Sequence, residues 1–271
     1  MSVSRPARLW LSALAFSSIA ACAFAQSSKT DFQPEVGQSG KDVVWVPSPQ
    51  ELVDKMLDMA KVTPKDFVMD LGSGDGRTVI TAAKRGASAL GVEYNPDMVA
   101  LSKRNAEMAG VGGKANFVEA DIFKTDLSKA TVITMFLLTD LNIRLRPTIL
   151  TLKPGTRVVS NTFRMGEWEP DQTVELGCDT YCTAYLWIVP ARIEGTWRSK
   201  QGALVLKQQF QKFSGALNSG NVSAPISRGS LNGDQISFMA GGAEYNGRVN
   251  GNSIEGTVKS AGKSSPWKAT R

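Results

Sequence analysis

The residues whose spacing invites chemistry begin at a glycine-rich turn, Asp70-Leu71-Gly72-Ser73-Gly74-Asp75-Gly76-Arg77, set between an apolar run and a helix-like one. Turns of this kind present backbone N–H groups at a helix N-terminus and commonly cradle phosphate. Nicotinamide and flavin sites use G-x-G-x-x-G, whose last glycine lets helix and strand pack closely. Here the glycines run G-x-G-x-G, and Arg77 stands where that last glycine would be. Asp70 and Asp75 also bracket the turn, and paired carboxylates would repel a pyrophosphate. The turn reads as a seat for a ligand that carries positive charge.

Two further acids extend the pattern. Glu93 ends the next strand-like run, ALGVEY, where an acid accepts hydrogen bonds from ribose hydroxyls. Asp121 follows the third such run, in EADIF, placed to receive an adenine amino group. Three carboxylates at the C-terminal ends of adjacent strands call for a ligand with an ammonium, a ribose and an adenine but no phosphate. S-adenosylmethionine fits that description, and its sulfonium suits the same negative field.

Composition removes other chemistries. The 271 residues contain no histidine, which excludes a Ser–His–Asp triad, a Cys–His pair and any His-ligated metal. No metal site is expected. Lys and Arg exceed Asp and Glu by 31 to 25, but the excess is spread along the chain rather than blocked, so no nucleic-acid partner is expected.

Elements able to position these acids follow from periodicity. Residues 66–71, 89–94, 115–120, 131–137 and 156–161 are apolar, strand-like runs. Helical patterns lie between them: one ends at Gly86, one opens at Asn95-Pro96, and LNIRLRPTILTL reads as a helix kinked at Pro147. Ahead of the first strand, Ser48, Pro49 and Glu51 read as a cap, a first-turn proline and a capping-box acid. Such alternation demands a parallel sheet with helices on both faces. QTVEL (172–176) and AYLWIVPA (184–191) have no helix between them and should pair antiparallel at its edge. The predicted fold is therefore α/β: a Rossmann-like, doubly wound, seven-stranded sheet over residues 43–191.

After Arg192 helical periodicity stops. GSLNGDQI (229–236) recurs as GRVNGNSI (247–254), and Asn-Gly between alternating runs signals hairpin turns with positive φ at both central residues. Residues 192–271 are expected to form a small antiparallel all-β domain, a meander or a barrel.

Residues 43–168 resemble the class I S-adenosylmethionine-dependent methyltransferases, and within them the small protein-lysine methyltransferases. The matching segments are WVPSPQELVDKML, DLGSGDGRTVI, GVEYNPDMV, FVEADIF, and KPGTRVVSNTF followed by Trp168. The resemblance implies that Asp70, Gly72, Ser73, Gly74, Glu93, Asp121 and Ile122 hold the cofactor and that Pro47 and Ser48 fold over it. It also implies methyl transfer to a protein lysine amine. A small-molecule or lipid-linked amine is the alternative acceptor, and an exported binding protein without turnover is the alternative class. On the substrate side, Thr139 and Asp140 are candidate catalytic residues after the fourth strand, with Asp140 equally readable as a helix cap. Phe136 and Trp168 are expected to desolvate the amine.

The first 25 residues read as an export signal: Arg5 and Arg8, an apolar run, then Ala23-Phe24-Ala25 before Gln26. Residues 26–42 read as a flexible tether. An exported, periplasmic protein is expected; lipidation at Cys22, which would tether it to a membrane, and an uncleaved cytoplasmic form are the alternatives. Cys178 and Cys182 fit a small-loop disulfide in an oxidising compartment.

Overall fold

The computed structural model describes residues 1–3, 32–178 and 180–271. Residues 4–25 of the expected leader, Cys22 among them, and residues 26–31 of the expected tether lie outside the described residues. Among the described residues, no helix is long and apolar enough to cross a membrane.

Residues from Phe32 onward form one compact unit, built on two sheets. The first carries α1 (Gln50–Met59), β1 (Phe67–Leu71), α2 (Arg77–Lys84), β2 (Ser88–Glu93), α3 (Pro96–Met108), β3 (Ala115–Glu119), β4 (Val132–Met135), α4 (Thr139–Ile149), β5 (Arg157–Asn161), β6 (Gln172–Glu175) and β7 (Thr183–Ile188). Its strand order is β3-β2-β1-β4-β5-β7-β6. β1 pairs in parallel with β2 and β4, while β7 runs antiparallel to both β5 and β6. This is the expected seven-stranded doubly wound sheet, and its antiparallel edge is the one that the missing helix implied.

Successive strand residues point to opposite faces, so the two faces bury different partners. Val68, Val132, Val159 and Leu186 pack with residues of α1, α2 and α3. Their sequence neighbours Met69, Ile133, Val158 and Trp187 pack with Leu145 and Ile149 of α4. Order reverses between β1 and β4, because β2 and β3 go one way and β4 and β5 the other. That leaves a crevice at the strands' C-terminal ends, where open α/β sheets receive ligands.

The second sheet comprises β8 (Gly195–Ser199), β9 (Gly202–Gln209), β10 (Lys212–Ser219), β11 (Val222–Pro225), β12 (Ser227–Asn232), β13 (Gln235–Ala240), β14 (Ala243–Asn250), β15 (Ser253–Ser260) and β16 (Lys263–Thr270). β16 pairs with β8, β8 with β9, and β9 with β10, which continues to β12. These pairings close eight strands into a barrel, with β11 attached outside the ring on β10. Between meander and barrel, the structure selects the barrel. Alternate residues fill its interior, including Trp197, Phe213, Phe238, Tyr245 and Trp267, with Phe238 and Tyr245 stacked at 4.7 Å.

The repeated Asn-Gly turns differ from expectation in detail. Asn232 pairs with Gln235 and Asn250 with Ser253, so the asparagines are the last strand residues. The two-residue loops are Gly233-Asp234 and Gly251-Asn252. Positive φ falls on the glycines alone, at +61° and +56°, which is the glycine-first pattern of a II′ turn rather than I′. Valine at either glycine is therefore expected to destabilise the chain by roughly 1–3 kcal/mol. The Gly233→Val loss should be the larger, because a Cβ there would sit 3.0 Å from Gly155 Cα whereas nothing lies within 4 Å at Gly251. Denaturant unfolding of the two variants checks both the sign and the order.

Candidate functional site

The glycine turn leaves the end of β1 and enters α2 with all three glycines at positive φ. Gly72 N and Ser73 N donate to Val92 O at 2.8 and 3.1 Å, which pins the turn to the end of β2. At Gly74 a side chain is excluded by contact as well as by φ: a Cβ would meet Trp45 Nε1 at 2.7 Å. The turn is therefore bare backbone beneath an indole.

Around it opens a cavity of about 410 Å³, within the range usual for small-molecule sites. Pro47, Ser48, Asp70, Gly72, Ser73, Gly74, Glu93, Asp121 and Ile122 all line it. Thr139 and Asp140 do not; Leu138 and Leu141 line it instead. Both proposed catalytic residues sit in the first turn of α4, whose N-cap is Leu138 with no side-chain cap bond. The expected capping role of Asp140 is likewise not seen. In a helix, residues 138 and 141 share a face and residues 139 and 140 turn away from it. Trp168 is also displaced from its expected place: it is fully buried with Trp187 and Phe210 and does not line the cavity.

The acids differ from one another more than their spacing suggested. Asp70 is buried, accepts a 2.6 Å bond from Thr134 Oγ1, and faces the cavity. Burial pushes its carboxyl up to about 7, with the Glu93 and Asp75 charges adding to the rise against the Thr134 bond. Asp75 is a structural acid. Arg77 grips it through Nε at 3.0 Å and Nη2 at 2.6 Å, and the same guanidinium donates from Nη1 to Ser48 O at 2.7 Å. Arg77 thus neutralises one of the two bracketing carboxylates and ties the turn to the N-terminal segment. Asp75 still lines the cavity and its charge still acts on Asp70, but it is shared with Arg77, which the spacing did not show.

Glu93 serves the turn as well as the cavity. Its Oε2 accepts from Gly74 N at 3.0 Å, and its Oε1 accepts from Tyr94 N at 2.9 Å and Asn95 N at 3.0 Å. Asp121 accepts from Phe123 N and pairs with Lys41 Nζ at 2.8 Å. The Lys41 ammonium holds its carboxyl below the usual range, with the Phe123 amide helping.

Lys41 belongs to the stretch expected to be a tether. Residues 37–45 instead fold back on themselves, Gly37 N donating to Trp45 O at 2.8 Å and Trp45 N to Gln38 O at 2.9 Å. Residues 38–48 line the cavity continuously. Ser48 is no helix cap: α1 starts at Gln50 after Pro49 without a side-chain cap bond. Its Oγ accepts from Asn161 Nδ2 at 2.9 Å, which binds this segment to the end of β5. Sequence reasoning missed Lys41, Trp45, Arg77, Phe163 and Tyr181. Trp45, Arg77 and Phe163 carried a signal, their places in the WVPSPQ, DLGSGDGRTVI and KPGTRVVSNTF segments; Lys41 and Tyr181 carried none.

These residues fit S-adenosylmethionine. The bare turn admits a close ligand, Asp70 and Glu93 supply acceptors for cationic and hydroxyl groups, and the buried Ser73 Oγ has no partner among the described residues. An apolar wall of Phe136, Leu137 and Leu138 completes the cavity. Asp70 makes the fit measurable. Its buried carboxyl takes up a proton on folding between its ordinary 3.8 and about 7, so its contribution to stability falls as pH rises through that window. The ammonium of a bound ligand prefers the ionised form. Affinity for S-adenosylhomocysteine is expected to rise with pH by up to roughly tenfold per unit below about 7, then level off. Asp70→Asn should flatten the profile, as read by calorimetry.

Comparison with known proteins gives the same result. Residues 70–172 match a family model described as the ANTKMT methyltransferase domain. A protein-lysine N-methyltransferase of Saccharolobus islandicus is 44% identical over 151 residues, 54% of this chain and 94% of that one. The mouse adenine nucleotide translocase lysine N-methyltransferase is 32% identical over 139 residues, and the match spans 51% of this chain and 60% of the relative's length. A crystal structure titled as an RNA methyltransferase from Salinibacter ruber, in complex with S-adenosylhomocysteine, is 47% identical with a TM-score of 0.52. It covers 55% of this chain and 96% of its own. On its fold, its cofactor cavity and the Saccharolobus islandicus relative matched almost end to end, the chain belongs to the protein-lysine N-methyltransferase family of class I S-adenosylmethionine-dependent enzymes.

Proposed function

We propose that this methyltransferase transfers a methyl group to the side-chain amine of a lysine in a protein, outside the cytoplasm. The observation that carries the acceptor reading is the division of one cavity into two walls. Asp70 and Glu93 come from β1 and β2 on one side of the order reversal, Phe136 and Phe163 follow β4 and β5 on the other, and all four line the cavity. When bound, S-adenosylmethionine supplies a methyl on a sulfonium, which passes to the amine as the carbon–sulfur bond breaks and the electron pair stays with sulfur. Asp70, Ser73 and Glu93 would hold it through its ammonium and ribose. The chain's remaining work is alignment and exclusion of water. A lysine ammonium must first release a proton to solvent, and burial against Leu137 and Leu138 favours that loss by disfavouring the charged form. No histidine is needed.

Incubation with methyl-labelled cofactor and fractionated acceptors tests this reading. Label in protein hydrolysed to methyl-lysine supports it. Label in a small or lipid-linked amine would move the acceptor class, and tight cofactor binding with no labelled product would make the chain a binding protein. The Salinibacter ruber neighbour, described as an RNA methyltransferase, makes RNA the second reading, so an RNA fraction belongs in the same assay.

Export is supported by the basic pair and the small-residue motif at Ala23 and Ala25, together with the Cys178–Cys182 disulfide, a bond at home in oxidising compartments. Mass spectrometry of the mature chain should find Gln26 as its first residue and both cysteines bonded. A thioether lipid on Cys22 would indicate a membrane tether. An intact Met1 with two free thiols would overturn export.

A further inference from the structure

The cavity's acceptor side holds a feature that neither the cofactor nor the glycine turn accounts for. Phe136 follows β4, Phe163 follows β5, and Tyr181 comes from the loop between β6 and β7; all three line the cavity. Their rings form one cluster. Phe136 and Phe163 stack at 6.0 Å, Tyr181 meets Phe136 edge-on at 5.2 Å, and Tyr181 lies 6.3 Å from Phe163. Tyr181 is 39% exposed while packed against the other two rings, which places it at the mouth.

Two of the three rings are presented by backbone in the left-handed region. Thr162, directly before Phe163, has φ +59°, and Tyr181 itself has φ +56°. A β-branched residue there is costly, and Thr162 is held by a 2.6 Å bond from its N–H to Thr183 O and by its hydroxyl on Asn161 Oδ1 at 2.8 Å. Thr183 directly follows Cys182. The Cys178–Cys182 bond therefore closes the loop that carries Tyr181 next to the strand that anchors Thr162. Strain that survives in two adjacent loops and brings two rings to one lip is a reason to look for a ligand. Tyr181 also lies beyond residues 70–172, the stretch that matches the family model.

Aromatic faces attract alkylammonium groups and strip water from them. We propose that Tyr181 is an acceptor-binding residue, kept at the mouth by the Cys178–Cys182 bond, and that with Phe136 and Phe163 it receives the alkylammonium side chain of the acceptor. The assignment deepens the lysine reading above and rests on it for the acceptor's identity. The ring faces, rather than the hydroxyl, do the binding.

The test separates this site from turnover. NMR titration of the full chain, saturated with S-adenosylhomocysteine, uses butylammonium and tetramethylammonium as probes. Tyr181→Ala should weaken both by roughly three- to thirtyfold, Tyr181→Phe should bind like wild type, and S-adenosylhomocysteine affinity should not change in either variant. The Cys178→Ser, Cys182→Ser double variant should show a loss of the same sign. Failure of the wild type to bind either probe, or equal binding by Tyr181→Ala, would overturn the assignment. So would parallel loss of cofactor affinity in Tyr181→Ala, because the ring would then be structural. Unchanged binding in the double cysteine variant would remove the disulfide's positioning role. Probe binding that depends on Tyr181 in a chain that labels no lysine would leave the assignment standing and refute the lysine reading instead.

Discussion

Glu93→Ala is expected to lower affinity for S-adenosylhomocysteine by well over tenfold. A charge-assisted hydrogen bond contributes roughly 1.5–3 kcal/mol, equivalent to about ten- to 150-fold in binding. Loss of the contact to the ligand therefore accounts for that much alone. The side chain also accepts from the amides of Gly74, Tyr94 and Asn95, so alanine removes the post that joins the glycine turn to the start of α3. The two effects compound, since a looser turn presents its backbone less well. Glu93→Gln keeps an acceptor on the side chain and should fall between wild type and alanine. Calorimetry gives the affinities, and a thermal melt without ligand separates the turn's loosening from the lost contact. Wild-type affinity in Glu93→Ala would mean that the ligand sits elsewhere.

Trp168→Ala should produce a large loss of stability, about 3–5 kcal/mol. Trp168 is fully buried, tilted against Trp187 at 6.2 Å and stacked on Phe210 at 5.7 Å with ring planes 11° apart. Phe210 is in the turn between β9 and β10, so this stack joins the barrel to the seven-stranded sheet. Polar bonds flank it: Gln211 Nε2 donates to Glu169 O at 2.7 Å, and Ala191 N donates to Gly233 O at 2.8 Å. An alanine would leave a cavity at the junction and uncouple the two sheets. Denaturant unfolding should show the lower midpoint, and a transition that separates into two if the coupling is broken. Cofactor affinity of the folded variant should stay near wild type, because Trp168 does not line the cavity. A loss below about 1 kcal/mol would show that the junction is held elsewhere.

The two outcomes distinguish what was legible in the sequence from what was not. The sequence by itself determined the alternation of strands and helices, the antiparallel edge where no helix intervenes, and the change to an all-β architecture after Arg192. These are local properties: period-two and period-3.6 burial is written in consecutive residues. It also determined where the cofactor's acids stand, because Asp70, Glu93 and Asp121 follow strand ends and strand ends in a parallel sheet converge on one edge.

Only the tertiary structure decided what each acid does there. Asp70 is raised by burial and by its acidic neighbours, Asp75 is spent on Arg77, and Asp121 is met by Lys41 from a segment that reads as a tether. Such assignments depend on which side chain of opposite charge arrives within about 3 Å, and no periodicity encodes a meeting between residues 41 and 121. The same holds for Trp168, whose aromatic character suggested a substrate wall but whose partner, Phe210, arrives from the other sheet. It holds also for Thr139 and Asp140, which the α4 helix rotates away while it turns Leu138 and Leu141 inward. Barrel closure through β9 and β10 was undecided for a related reason: hairpin signals fix neighbouring strands, whereas closure depends on the strand twist accumulated around the whole ring.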